Sequence, residues 1–254
     1  MSSLKLLSWN VNGLRAAAKK GFWQHMQSLN PDIICLQEIK TKKEQLQDDL
    51  LKPEGWQAYL YPAQRAGYSG VAIYSKRKPE NVRYGIGIER FDAEGRTLTL
   101  DYQEFCLVNA YFPNGGRNDE RLQYKLDFCE AIQEFVLSIK RPVLLCGDFN
   151  TAHQERDLAR PRENLNNSGF MPIERAWIER FLAAGFVDTF RLFYEQGGFY
   201  SWWDLKTRAR ERNTGWRIDY FFAAKELQSR IKSAFILPEI TGSDHCPVGI
   251  ELDI

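Results

Sequence analysis

The residue types that could do chemistry in this chain are hard oxygen donors with one histidine among them. The acids singled out by position are Glu38, Asp148, Asp219 and Asp244, beside His245. The three histidines and five cysteines have no zinc-ligand spacing, so magnesium is the metal this inventory favours, with manganese as a substitute. Magnesium in turn points to phosphate, because it binds through one or two carboxylates and completes its shell with water and phosphate oxygens. The stretch GSDHCP, residues 242–247, places Asp244 directly before His245. Neighbours on an extended chain face opposite ways, so Asp244 is badly placed to orient the imidazole and has a separate job facing the metal or the water. The partner expected for His245 is Asp219 in GWRIDYFF, a charge interrupting an apolar run that is costly unless paired or aimed into a site. Such a pair raises the imidazole pKa, leaving a cation that can stabilise a pentacoordinate phosphate.

Three further stretches, WNVNG (residues 9–13), LQE (36–38) and GDFN (147–150), carry Asn10, Glu38, Asp148 and Asn150. Each admits a plain reading as a turn or solvated strand end, since Gly, Asp and Asn suit turns for backbone reasons. Each also admits a functional one: Asp148 taking a proton from, or orienting, an attacking water while the Asn150 amide holds that water or a phosphate oxygen.

These side chains need a scaffold. Short apolar runs at 4–8, 32–36, 70–74, 96–100, 105–111, 142–146, 217–223 and 248–252 read as buried strands. Helical spacing links Phe22, Trp23, Met26 and Leu29. It also links Leu122, Leu126, Cys129, Ile132 and Val136 after a cap at Asn118 or Asp119. A third helix is expected after Pro172, with Ile173, Trp177 and Leu182 on one side and Gly185 past its end. Strands mixed with helices without strict alternation, and no linker, fit one domain over 1–254. The expected architecture is a four-layer α/β sandwich, two packed mixed sheets with helices outside. Asn10, Glu38, Tyr111, Asn114, Asp148 and Asn150 all fall where strands stop, so one rim of the sandwich can gather them.

Composition sets the outer bounds. Apolar content of 44% and charged content of 26% are ordinary for a globular protein, and no apolar run approaches the roughly 18 to 20 residues that span a bilayer. The N-terminus lacks the pattern of a signal peptide, so a cytoplasmic location is expected, nucleoid-associated in a prokaryote. The cysteines are odd in number and mostly lie in apolar runs, which reads as core packing. A net charge of +1 is neutral on nucleic acid, because only local clustering builds an attractive patch. The stretch 199–216, FYSWWDLKTRARERNTGW, supplies such clustering: cations for phosphates and indole planes for bases or a sugar. With Arg15, Lys19, Lys20, Arg117 and Arg121 it could form one basic stripe.

In order, SWNVNGLR, CLQEIK, GYSGVAIYS, NAYFPN, GDFNTAH, NSGF, GWRIDYFF and GSDHCP run from about Leu4 to Ile254. As an ordered set they closely resemble the exonuclease III family of abasic-site endonucleases, within the endonuclease/exonuclease/phosphatase superfamily of DNase I-like fold. The resemblance implies a monomeric, magnesium-dependent hydrolase that acts on duplex DNA and cuts 5′ to an abasic site, leaving a 3′ hydroxyl and a 5′ deoxyribose phosphate. It also implies 3′-phosphodiesterase, 3′-phosphatase and 3′ to 5′ exonuclease activity. By the same resemblance Glu38 is the main metal ligand, with Asn10 close by and Asp244 as a second metal or water contact. Asp148 is similar to the water-activating base, Asn150 to its positioning partner and Tyr111 to a phenol on the scissile phosphate. His245, held by Asp219, contacts a phosphate oxygen. Trp202, Trp216 and Ile218 match a pocket for a flipped-out abasic sugar, and Tyr68, Asn114, Arg117, Asn164 and Asn167 match positions touching the DNA backbone. Leu205 and Lys206 stand where some relatives place an apolar wedge.

Overall fold

The computed structural model describes residues 3–116 and 118–254. Arg117, expected at the DNA backbone, lies outside the described residues. One sheet contains β1 (Ser3–Asn10), β2 (Ile33–Gln37), β3 (Gln57–Tyr61), β4 (Val71–Ser75), β11 (Ile231–Ile236) and β12 (Val248–Asp253), in the order β11-β12-β1-β2-β4-β3. The other contains β5 (Asn81–Tyr84), β6 (Thr97–Asp101), β7 (Cys106–Tyr111), β8 (Val143–Asp148), β9 (Phe186–Asp188) and β10 (Asp219–Ala224), in the order β5-β6-β7-β8-β10-β9. The eight expected strands form within one or two residues of their anticipated bounds. The four not anticipated, β3, β5, β9 and β11, are all edge strands, whose partly exposed faces break the apolar run that marks a buried strand.

Both sheets are mixed, and each has a single parallel pair near its middle, β1 with β2 and β7 with β8. The sheets pack face to face through Leu6, Ile33, Cys35 and Ile73 on one side and Leu107, Leu144, Cys146 and Phe221 on the other. Helices cover the outer faces: α1 (Leu14–Lys19) and α2 (Phe22–Leu29) on the first sheet, α5 (Asp119–Leu137) and α7 (Pro172–Ala183) on the second. Single-turn helices α3 (Asp48–Leu51), α4 (Glu89–Asp92) and α6 (Pro161–Asn164) punctuate the loops. The central strands are buried on both faces, which is why their sequences read as unbroken apolar runs. All five cysteines are buried and unpaired, as core packing requires.

The Asn118 side chain caps α5 by accepting the Arg121 N–H, and Gly185 follows α7 with φ +109°. The buried side of α7 differs from expectation. It is built from Glu174, Trp177, Ile178 and Phe181, while Ile173 is 52% exposed because it falls on the turn that faces outward from the sheet.

A polar clamp crosses the otherwise apolar interface. Gln37 Nε2 donates to Asn109 Oδ1 at 2.7 Å and to Ser8 Oγ at 3.0 Å, and Asn109 Nδ2 donates to the carbonyls of Leu36 and Ala72, both at 3.0 Å. These bonds tie β7 of one sheet to β2 and β4 of the other, and buried hydrogen bonds of this kind favour one register where apolar packing alone would allow several.

Candidate active site

The parallel pairs end at the same rim. Asn10 closes β1 opposite Gln37, with Glu38 next in the chain, and Tyr111 closes β7 opposite Asp148. Asn10 joins the halves: its Nδ2 donates to Glu38 Oε1 at 2.9 Å and to Asp148 Oδ2 at 2.8 Å. Tyr111 donates its phenol proton to Glu38 Oε1 at 2.8 Å. The turns that aim these groups are tight, with Asn12, Glu38, Lys40, Ser69 and Asn150 all at φ between +43° and +52°. Left-handed non-glycine residues are uncommon, and their gathering on one rim marks a place where geometry is held against local preference.

At the Glu38 corner the carboxylate meets Lys40 Nζ at 2.5 Å, and Lys40 also donates to Asn12 Oδ1 at 2.5 Å. Burial works against the charged form of Glu38, but Lys40 together with the hydrogen bonds from Asn10 and Tyr111 holds its carboxyl below the ordinary value. Asp244 stands across from it, accepting from Asn12 Nδ2 at 2.9 Å and from the Trp202 indole at 3.1 Å. Burial again opposes its charge; His245 and those two donors keep its carboxyl below the usual value. Glu38, Asn10, Asn12 and Asp244 are oxygen donors held ionised or polar, and Lys40 shows that the Glu38 carboxylate accommodates a cation. That donor set fits a hard divalent ion.

The second corner is the buried group of Asp148, Asp219 and His245, whose potential ligand atoms lie within 4.8 Å of one another. The antiparallel register of β10 on β8 makes Asp219 the direct partner of Asp148, so two carboxyls face the same way across adjacent strands. His245 offsets that repulsion. Its Nδ1 bonds Asp219 Oδ2 at 2.8 Å and its Nε2 lies 3.8 Å from Asp148 Oδ2. Burial alone would lower the imidazole pKa, but Asp219 and Asp148 outweigh it and push it up to about 10. Burial and the charge of Asp219 push the Asp148 carboxyl the other way from most acids, up to about 7, against the pull of His245. A cationic ring already fills the middle of this group, so it is a poorer cation site than the Glu38 corner.

Asn150 locks Asp148 rather than reaching freely into the cleft. Its backbone N–H donates to Asp148 Oδ1 at 2.8 Å and its amide to Asp148 Oδ2 at 3.2 Å and to the Phe112 carbonyl at 3.0 Å. Asn114 donates in turn to Asn150 Oδ1 at 3.1 Å.

A cavity of about 300 Å³ opens onto both corners, with Trp202, Trp216 and Ile218 as its apolar wall. Trp202 forms isolated bridges to Trp216 and to His245, so the wall is tied by main chain to the histidine. Beside it a cleft of about 850 Å³ is lined by Arg15, Lys19 and Lys40, and the two meet at the Glu38 and Lys40 pair. Farther out, Tyr68 is half-buried with its hydroxyl accepting from Arg96 and Arg121, both at 3.0 Å. Asn167 donates to Asn164 Oδ1 at 2.8 Å on an exposed turn.

Two parts of the Trp and Arg segment serve the fold instead. Trp203 is buried among Tyr200, Ala209 and Cys246, and Arg210 stacks on its ring while donating to the carbonyls of Pro238 and Ile240. Leu205 projects outward, 65% exposed. Sequence reasoning missed Lys40, Asn12 and Ser201, whose hydroxyl donates to Asp219 Oδ2 at 2.6 Å. All three lie inside stretches already singled out, Ser201 among the indoles of 199–216, where nothing in the sequence sets it apart as the partner of Asp219.

A six-strand on six-strand sandwich with an acidic, histidine-bearing rim at the ends of its central strands defines a class of phosphoesterases. The chain belongs to the Endonuclease/Exonuclease/phosphatase family, whose model matches residues 7–245. It is 46% identical over 255 residues to an exodeoxyribonuclease of Bacillus subtilis (strain 168), spanning 99% of this chain and all of that one. A DNA-(apurinic or apyrimidinic site) endonuclease of Dictyostelium discoideum is 38% identical over 261 residues, spanning all of this chain and 72% of that one. Among solved structures, a 3′ phosphatase from Neisseria bound to a product DNA hairpin superposes with a TM-score of 0.89 at 28% identity, covering 99% of this chain and all of that one.

Proposed function

We propose that this chain is a DNA repair phosphodiesterase that cuts duplex DNA 5′ to an abasic site, leaving a 3′ hydroxyl and a 5′ deoxyribose phosphate, and that also has 3′-phosphodiesterase, 3′-phosphatase and 3′ to 5′ exonuclease activity. The observation that carries this reading is the indole-walled cavity opening directly onto the Glu38 and His245 corners. The family, and the exodeoxyribonuclease, abasic-site endonuclease and 3′ phosphatase among its relatives, support the set of activities.

Glu38, Asn10 and Asp244 would hold the ion, magnesium with manganese as a substitute, and when bound it neutralises charge on the phosphate. Asp148 takes the proton of the attacking water, and a carboxyl at about 7 is well matched to that task near neutral pH. Asn150 keeps Asp148 in place. His245, cationic and held by Asp219, donates toward a phosphate oxygen as charge builds. Burial and the charges of Glu38 and Asp148 push the Tyr111 phenol well up, so it stays protonated, and its one proton turns from Glu38 to the same phosphate when substrate is bound. Trp202, Trp216 and Ile218 receive the extruded sugar. An abasic nucleotide has no stacked base to lose, so extrusion costs little and selectivity needs no base-edge hydrogen bonds. Arg15, Tyr68, Asn114, Asn164 and Asn167 follow the backbone. Residues 1–254 act as one domain and as a monomer in the cytoplasm; no helix of the described residues is long and apolar enough to cross a membrane.

The test is incision of a duplex oligonucleotide carrying one tetrahydrofuran abasic analogue. Cutting directly 5′ to the analogue in magnesium, abolished by EDTA, is the expected result. Binding without cutting would sink the enzymatic reading, and cutting at undamaged sites with equal rate would sink the abasic one.

A further inference from the structure

Outside the cleft, α5 and α7 share a buried ion pair. Lys125 Nζ lies 2.6 Å from Glu174 Oε1, and the two side chains are 1% and 0% exposed. A helix-capping role explains only part of it: Glu174 accepts the Met171 N–H at 3.0 Å at the start of α7. The remaining bonds run to the cavity wall. Glu174 also accepts the Gly169 N–H at 2.7 Å and the Ser168 hydroxyl at 3.1 Å, while Lys125 donates to the Asn150 carbonyl at 2.7 Å. Asn150, Ser168 and Gly169 all line the indole-walled cavity.

Gly169 sits flat between the two sides of that wall. At φ +96° any side chain would be strained, and a Cβ there would be crowded, 3.1 Å from the Asn150 carbonyl oxygen and 3.2 Å from the Trp216 ring. Its own carbonyl accepts the Ala152 N–H at 2.8 Å, closing the loop onto the segment after β8. Asn150 itself sits at φ +50°, a left-handed turn that Asn tolerates and that its N–H bond to Asp148 Oδ1 closes locally, so the Lys125 bond to its carbonyl adds a hold from the outer side. We infer that Lys125 and Glu174 are positioning residues: together they fix the Asn150 backbone, and through it Asp148, against the Gly169 and Trp216 wall, so that the sugar and the water meet at a set distance.

This inference rests on the reading of the cavity as the abasic-sugar site, and wild-type incision of the tetrahydrofuran duplex is its control. The decisive variant is Lys125→Met combined with Glu174→Leu, because replacing both members of a buried pair by apolar residues of similar size can preserve stability. Measured well below its thermal midpoint, it is expected to cut roughly 10- to 100-fold more slowly under single-turnover conditions. Its Kd for the duplex should stay within about threefold of wild type, because the outer DNA contacts are untouched. A stably folded double variant that cuts at the wild-type rate, or one that loses binding alone, overturns the inference. If the double variant does not fold, Glu174→Gln takes its place: it keeps shape and withdraws the charge, and the same split between rate and Kd decides. Failure of the wild type to cut would instead strike the underlying reading.

Discussion

The two corners of the cleft contain the same ingredients, a carboxylate beside a cation, and treat them in opposite ways. At Glu38 the cation is a lysine two residues along, on a flexible stem, with Asn10 and Tyr111 donating to the same carboxylate, and the acid is held below its ordinary value. At Asp148 the strand register sets a second aspartate directly opposite, in full burial, and the acid rises to about 7 although an imidazolium lies beside it. The difference teaches that proximity to a cation does not by itself decide an acid's state; the balance of burial, a facing like charge and the donors around it does. One corner is suited to holding an ion, the other to moving a proton.

The largest break in this comparison should come from Asp148→Asn. Incision of the tetrahydrofuran duplex is expected to fall by about 10³-fold or more. The thermal midpoint should stay at or above that of wild type, because one of two facing like charges is gone. A rate near wild type would remove Asp148 from the proposed chemistry. Next, Glu38→Gln should lower the rate about 100-fold at limiting magnesium and recover part of it at high magnesium. A loss that ignores magnesium concentration would place the ion elsewhere. Trp216→Ala, which opens the cavity wall but leaves both corners intact, is expected to cost about 10-fold in rate; no change would mean the sugar does not rest there.

The smallest expected effect concerns a third carboxyl, which sharpens the contrast from outside the cleft. Asp157 is buried, yet Arg217 and Arg191 overcome that burial and bring its carboxyl down to about 2. Its folded pKa lies below the unfolded one, so its contribution is fully present above about pH 4 and disappears as pH falls through about 2. Asp157→Asn should therefore lower unfolding free energy by on the order of 2 kcal/mol at neutral pH, with the gap to wild type narrowing in acid. Urea midpoints measured across that range check it, and a gap independent of pH would refute it.

The legible parts of this molecule were those where a residue type conflicts with its local pattern. Asp219 inside an aromatic strand and Glu38 at the end of an apolar one announce themselves, and the structure brings both to the same rim. Edge strands announce little, which is why β3, β5, β9 and β11 went unanticipated. Trp203 and Arg210 had the composition of a binding surface and turned out to pack on each other, since sequence does not reveal which indole faces inward. The Lys125 and Glu174 pair spans 49 residues between two helices, and only the packed structure shows that both bond to residues lining the cavity.

The clamp of Gln37 and Asn109 has a consequence for the history of each molecule as it forms. Asn10 and Glu38 belong to one sheet, Tyr111, Asp148 and Asp219 to the other, and they converge only once those amides have locked the two layers in register. A chain with either layer formed alone carries half of the proposed machinery and none of its alignment. Until the two layers are packed the nascent chain holds no complete cleft, and whatever prises them apart disarms it.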